Sequence, residues 1–231
     1  MLRVVAIDGP AASGKSSTAA LVAKQLGWAH LDSGALYRAL TLAALDNLGE
    51  GSRERDAWPA QRILALAEDL PVRLVLVDDV FRPEVAGADV GEEIRSDRVT
   101  RHVSALAAIP EVRTWVNARQ RDAAAGHPSG VVVDGRDIGT VVFPDAPLKV
   151  FLTATPDERA RRRLSQRGRA VGDEEVRRES RALAARDAAD TTRPVAPLKP
   201  APDAVLLDST ALTLEEQVGQ VVELARRRLP G

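Results

Sequence analysis

The stretch Gly9-Pro10-Ala11-Ala12-Ser13-Gly14-Lys15-Ser16 constrains this chain more than any other. It stands between Arg3-Val4-Val5-Ala6-Ile7-Asp8, a short apolar run with β-branched residues, and Ser17 to Leu26, where apolar residues recur at helical spacing. Gly-x-x-x-x-Gly-Lys-Ser between a strand and a helix is the pattern of a phosphate-binding loop. Gly9 and Gly14 permit the tight turn that aims successive amides at phosphate oxygens. Lys15 then reaches the outer phosphates, and the Ser16 hydroxyl is placed to ligate Mg²⁺. The helix N-terminus behind them adds about half a positive charge. Gly9 through Ser16, together with Ser17, are the candidate ATP-binding residues. Lys15 is also a candidate catalytic residue, and Ser16 the candidate metal ligand.

The next stretch of the chain again reads as strand, turn and helix. Ser17 to Leu26 stops at Gly27; Ala29-His30-Leu31-Asp32 reads as a short buried strand, and Ala35 to Leu48 as a helix closing at Gly49. Strand, turn and helix in alternation predict parallel strands with crossover helices, whose ligands bind beyond the carboxyl ends of the strands. Residues 50–60 read as a polar loop and Ala60 to Leu70 as a helix. Val72 to Val77, the turn Asp78-Asp79, Val80 to Val85 and Asp89-Val90 then predict an antiparallel insertion. Helices follow from Ser96 and from Pro110 to about Gly126. Val131-Val132-Val133-Asp134 and Leu148 to Leu152 read as buried parallel strands. Thr155 as N-cap, Pro156 at the first helical position and Glu158 at N3 predict a helix start. That helix runs to Gly168, and a second, polar helix spans Asp173 to about Asp190. Both are thin in large apolar residues and read as a mobile helical lid. Ala204 to Asp208 is the last strand, and Thr213 to Leu229 the last helix.

The expectation is therefore an α/β fold: a five-stranded parallel sheet flanked by helices, with a small antiparallel insertion and a helical lid. With 231 residues the chain buries a sizeable core, and the absence of cysteine excludes disulfides, thiolate metal sites and cysteine nucleophiles. A net charge of −1 argues against binding nucleic acid as a whole. Met1-Leu2-Arg3 leads straight into a strand ending in Asp8, unlike a signal peptide, and no apolar run reaches the ~18 residues of a membrane span. A soluble cytoplasmic monomer with neither nucleic-acid nor membrane partner is expected.

Polar clusters fall at the carboxyl ends of the strands: the glycine loop, Asp32-Ser33 with Arg38, and Asp134 to Asp137. Asp134 either holds a metal-bound water or stabilises a turn. Arg186 and Asp190 are i,i+4 neighbours on the second lid helix, with Arg193 following. Arg159, Arg161, Arg162 and Arg163 cannot share one helix face, so some must be solvated, and others are placed to swing over a transferring phosphoryl group. Of these, Arg159, Arg162 and Arg163 are the candidate catalytic arginines. His30, His102 and His127 lack metal-ligand spacing and read as structural or solvated. A loop of this kind, abundant arginine and no evident general base suit transfer onto a phosphate acceptor. Such an acceptor is largely dianionic near pH 7, its second pKa being about 6. Kinases of other nucleotides or of alcohols, with Asp32 or Asp137 as base, remain open, as does a module that binds nucleotide only to regulate a partner.

Asp32-Ser33-Gly34-Ala35-Leu36-Tyr37-Arg38, Asp134-Gly135-Arg136-Asp137-Ile138-Gly139-Thr140 with Val141-Val142-Phe143-Pro144, and Arg193-Pro194-Val195-Ala196-Pro197-Leu198 resemble the motifs of bacterial cytidylate kinases. Their order and spacing match over essentially all 231 residues, including the 71–100 insertion; Thr191-Thr192 is a modest departure. The resemblance implies transfer of the ATP γ-phosphoryl group to CMP or dCMP with Mg²⁺, in pyrimidine nucleotide metabolism. It implies a P-loop core (1–70, 101–154 and 191–231), a nucleoside-monophosphate-binding insertion (71–100) and an ATP lid (155–190). It further implies that Arg38, Arg136, Arg186 and Arg193 hold the acceptor phosphate, and that Ser33 and Asp190 contact the sugar region. Ser104, Arg113 and Asp137 would read the base.

Overall fold

A computed structural model describes residues 3–49, 58–169 and 171–229. Its first half contains β1 (Val4–Asp8), α1 (Lys15–Leu26), β2 (Ala29–Asp32), α2 (Ser33–Leu48), α3 (Ala60–Asp69), β3 (Val72–Val77), β4 (Val80–Val85), β5 (Ala88–Asp89), α4 (Asp97–Leu106) and α5 (Pro110–Ala125). There follow β6 (Val131–Gly135), β7 (Leu148–Thr153), α6 (Pro156–Gln166), α7 (Asp173–Thr192), β8 (Val205–Asp208) and α8 (Leu214–Arg228). Most of the loop expected over 50–60 lies outside the described residues. Among the described residues no helix is long and apolar enough to cross a membrane.

The chain divides into two compact units, Met1–His30 with Pro128–Gly231, and Leu31–His127. In the first, strands run in the order β6-β1-β7-β8, all parallel, and the start of β2 joins β6. The β1 and β6 strands are buried throughout, which explains their unbroken apolar runs. Their register pairs Val4 with Val131 and Asp8 with Gly135, so both strands end at the same level. Ile7, Val22, Val132, Leu148, Leu152, Val218 and Val221 form the core between the sheet and helices α1 and α8. Helices α6 and α7 carry a smaller apolar cluster of their own, Ala160, Leu164, Val176 and Leu183 packed with Ala11.

The second unit holds the antiparallel strands. β3 and β4 pair from Val72–Val85 to Val77–Val80 across Asp78-Asp79, whose φ values of 50° and 57° are those of a two-residue hairpin turn. The third strand is Ala88–Asp89 rather than Asp89-Val90, because Ala86 and Gly87 make the turn with positive φ. Val72, Val90 and Ile94 share one core with Leu36, Leu40, Ile63, Leu106 and Val112. The 71–100 stretch is thus packed into a unit that extends from Leu31 to His127.

One helix start differs in its chemistry. α6 begins at Pro156 as expected, but the Thr155 side chain makes no capping bond, and Glu158 instead accepts from Arg162 Nε at 2.9 Å. The reciprocal capping box belongs to α8: Glu216 N–H donates to Thr213 Oγ1 at 3.2 Å, and Thr213 N–H donates to Glu216 Oε2 at 2.8 Å.

Gly130 sets the approach to β6. Its φ is +130°, and a Cβ there would lie 2.8 Å from the Trp28 ring and 2.9 Å from the Arg3 carbonyl oxygen. Gly130→Ala is expected to destabilise the protein by about 2–3 kcal/mol. Thermal unfolding would then shift down by about 5–10 °C, which calorimetry measures directly.

Candidate active site

The glycine loop leaves β1 in a conformation only small residues allow. A Cβ on Gly9 would run into the Leu152 carbonyl oxygen, and Gly14, at φ +94°, is the N-cap of α1. Ala12 also has positive φ, +59°, a region that side chains disfavour. Alternating backbone signs of this kind make a concave nest of amides suited to an anion. Lys15 is buried at the first position of α1, and its Nζ donates to the Pro10 carbonyl at 2.6 Å. Burial, together with the neighbouring Arg136, holds its pKa well below the ordinary lysine value. A polyanion in the nest would reverse that pressure and keep the ammonium charged.

Ser16 Oγ donates to Asp134 Oδ2 at 2.6 Å, while His30 Nε2 lies 2.8 Å from Asp134 Oδ1. Burial raises the Asp134 pKa, but the bonds from His30 and Ser16 and the charge of Lys15 outweigh it and hold the carboxyl below its usual value. A hydroxyl and a carboxylate side by side beside the phosphate nest form an all-oxygen donor pair. That pair suits a hard divalent cation completing its shell with phosphates and water. His30, read from sequence as structural or solvated, fixes the orientation of this carboxylate.

The segment after β6 gathers four of the expected acceptor residues. Arg136 Nε donates to Asp190 Oδ2 at 2.9 Å, and Arg136 NH1 to the Gly9 carbonyl at 2.7 Å. Arg193 Nε donates to the Ala196 carbonyl at 2.6 Å, and its terminal nitrogens lie 3.4 Å from Asp137 and 3.9 Å from Asp190. Two guanidinium groups and two carboxylates therefore neutralise one another next to the loop. Arg186, half-buried on α7, is close enough to Lys15 to oppose its charge. Asp8 organises the turn: its two carboxylate oxygens accept from the Ile138 and Gly139 N–H groups at 2.8 and 2.7 Å. The π-helical turn Ile138–Val142 that follows was not foreseen from sequence.

The α6 arginines diverge. Arg161 is exposed; Arg162 donates to the Ser209 hydroxyl at 3.0 Å and its carbonyl at 2.6 Å; Arg163 pairs with Glu179 at 2.8 Å. Arg159 is buried against the glycine loop, donating to the Ala11 carbonyl and pairing with Asp187. A cavity of about 630 Å³ opens beside Gly14 and Ser17, lined by Arg162, Arg163, Leu212 and Gln217 among others. It is large enough for the nucleoside end of a nucleotide whose phosphates occupy the loop.

In the second unit, Ser33 opens α2, where Asp32 caps the helix by accepting from Gly34 N–H at 2.9 Å. Gln120 donates to the Ser33 carbonyl at 3.0 Å. Arg38 NH1 is held at 3.0 Å by both the Ile94 carbonyl and Thr100 Oγ1. Arg113 is buried on α5, bonded to the Ala107 carbonyl at 3.0 Å, with its guanidinium 5.4 Å from the Tyr37 ring centroid. Ser104 is half-buried on α4.

The family model described as cytidylate kinase matches residues 5–227. The chain is 45% identical to the cytidylate kinase of Azotobacter vinelandii, over 99% of this chain and 97% of that protein. It is 46% identical to that of Stutzerimonas stutzeri over the same shares, and 42% identical to that of Klebsiella pneumoniae over 98% and 96%. The chain belongs to the cytidylate kinase family. Membership in the cytidylate kinase family covers both compact units. It makes the protein a nucleoside monophosphate kinase, a phosphotransferase that binds nucleotide.

Asp8 and Asp187 were not singled out from the sequence. The available signal for Asp8 was a lone carboxylate ending an otherwise apolar strand. Burial pushes its pKa up from 3.8 to about 6, against the two backbone N–H bonds that lower it. Because the folded value lies above the unfolded one, Asp8 contributes stability that is complete below pH 3.8 and lost as pH rises through about 6. Denaturant unfolding of wild type and Asp8→Asn at pH 4 and pH 8 is expected to show the gap between them shifting by about 2.5 kcal/mol against wild type at the higher pH.

Proposed function

We propose that this cytidylate kinase family member transfers the γ-phosphoryl group of ATP to CMP or dCMP, producing ADP and CDP or dCDP. The observation that carries this reading is Arg136, which bonds both the Gly9 carbonyl of the donor loop and Asp190 of the acceptor cluster. One guanidinium thereby links residues for two different nucleotides. The loop amides from Gly9 to Ser17 and the Lys15 ammonium hold the donor phosphates. Ser16 and Asp134 would hold Mg²⁺, which when bound would neutralise part of the triphosphate's negative charge.

In the first unit, Arg136, Arg186 and Arg193 are assigned to the acceptor phosphate, Asp190 to the sugar region and Asp137 to the base. In the second, Arg38 is assigned to the phosphate, Ser33 to the sugar region, and Ser104 and Arg113 to the base. The acceptor-binding role expected of 71–100 therefore extends over Leu31–His127, and α6 with α7 serve as the ATP lid. The paired state of Arg136 and Arg193 supports these roles: an incoming phosphate dianion takes the place of carboxylates on the guanidinium forks. That dianion attacks without a general base, so positioning and charge stabilisation suffice. Arg162 and Arg163 line the cavity and are the lid cations assigned to the transferring group. We also propose a cytoplasmic monomer acting on free nucleotides.

Cytosine offers an N4 amino donor to the Asp137 carboxylate and acceptors at N3 and O2 to Arg113. Uracil reverses the polarity at N3 and at position 4, leaving buried polar groups unpaired, a mismatch able to discriminate by a factor on the order of 10⁴. Measuring ADP release with CMP, dCMP and UMP side by side tests the activity; CMP without effect, or UMP preferred, would reject it. Asp137→Asn is expected to reduce the CMP-over-UMP ratio of kcat/KM at least about tenfold. An unchanged ratio would remove Asp137 from base reading.

A further inference from the structure

Two lid helices meet the donor loop at one residue. The Ala11 N–H donates to Asp187 Oδ1 at 2.8 Å, and the Ala11 carbonyl accepts from Arg159 NH1 at 3.0 Å. Arg159 comes from α6 and Asp187 from α7, and the two are ion-paired with side chains only 8% and 16% exposed. Ala11 itself belongs to the small apolar cluster of Ala160, Leu164, Val176 and Leu183, so packing and polar contacts converge on the same point. The next residue, Ala12, holds the positive φ of +59° that an alanine adopts only at a cost.

We infer that Arg159 and Asp187 are positioning residues that hold the donor loop in its phosphate-ready shape before ATP arrives. The peptide planes on both sides of Ala11 are fixed, one through its N–H and the other through its C=O. A trans peptide points its N–H opposite to its C=O, so the bond from Arg159 to the Ala11 carbonyl also sets the direction of the Ala12 N–H. The ion pair offsets the strain at Ala12, and ATP then meets amides that need no reordering. This assignment removes Arg159 from the group expected to clamp the transferring phosphoryl group. Its guanidinium is instead engaged with backbone and carboxylate beneath the loop. Asp187 does not act alone, because a lone carboxylate at that place, close enough for Lys15 to feel its charge, would compete with the triphosphate.

The inference rests on the ATP-binding reading of the loop, and its test separates the two. Equilibrium binding of a non-hydrolysable ATP analogue to wild type, Asp187→Asn and Arg159→Lys reads the donor site without turnover. Kinetics with CMP then give KM for each substrate. Lysine keeps the charge of Arg159 but not its planar fork. Asparagine at 187 keeps an acceptor for the Ala11 N–H but loses the ion pair. Both variants are expected to weaken analogue binding and raise KM for ATP about tenfold, with kcat lowered less than threefold and KM for CMP within about twofold. The double variant should lose less than the product of the two single effects, because they disable one element.

Tighter analogue binding by Asp187→Asn would overturn the inference, making the carboxylate a competitor of the triphosphate. So would a fall in kcat for Arg159→Lys with ATP affinity unchanged, which would return Arg159 to the reacting group. Unaltered binding in both variants would also overturn it. If Arg159→Lys does not fold, Asp187→Asn carries the same comparison by itself. If wild type binds the analogue but leaves CMP unphosphorylated, the proposed activity fails while the positioning role stands.

Discussion

The parallel pairing of β1 with β6 is the constraint on which the donor loop and the turn beside it depend. With Asp8 level with Gly135, the glycine loop and the Arg136-Asp137 segment leave the sheet side by side. Every cross-link between them follows from that register: Asp8 to the Ile138 and Gly139 amides, Ser16 to Asp134, and Arg136 to the Gly9 carbonyl. A slip of one residue in either strand would turn its carboxylate, Asp8 in β1 or Asp134 in β6, to the other face of the sheet. The apolar residues of β1 and β6, with Leu148, Val150 and Leu152 of β7, hold the register, because all are buried and none can be turned outward cheaply.

Charge is distributed to match. The chain is nearly neutral overall, yet cations and anions are concentrated at one sheet edge and largely cancel there. Burying such groups is costly unless each is paired and hydrogen-bonded. The arginines satisfy this with carboxylates and backbone carbonyls, and Lys15 with the Pro10 carbonyl and a depressed pKa. A nucleotide phosphate brings the anionic oxygens that such groups otherwise find only within the protein. The site is therefore organised around charges that the ligand relieves, which suits a reaction controlled by positioning.

Most elements were legible in the sequence because their signals are local. Gly9 and Gly14, the β-branched runs and the Asp78-Asp79 turn all appear where periodicity and turn chemistry put them. Local signals misled where two residues competed for the same partner. Thr155 and Glu158 had the spacing of a capping box, but Arg162 took the Glu158 carboxylate, and the box formed at Thr213 and Glu216 instead. Three arginines on α6 looked alike as candidates, yet one turned to Ser209, one to Glu179 and one to Ala11. Helical spacing sets which face a residue occupies, not which acceptor awaits it there.

By itself the sequence determined the kind of loop, the alternation of strands and helices, and the residue types on which the proposed phosphate and base contacts draw. These depend on φ preferences, side-chain branching and motif spacing, all carried by neighbours along the chain. Only the tertiary structure decided the partnerships: Ser16 with Asp134, 118 residues away, Asp8 with Ile138, 130 away, and Ala11 with Asp187, 176 away. Such contacts depend on strand order, register and the packing of distant helices, which no local preference encodes. The glycine loop could be read from eight residues, but what holds Ala11 within it comes from α6 and α7 near the far end of the chain.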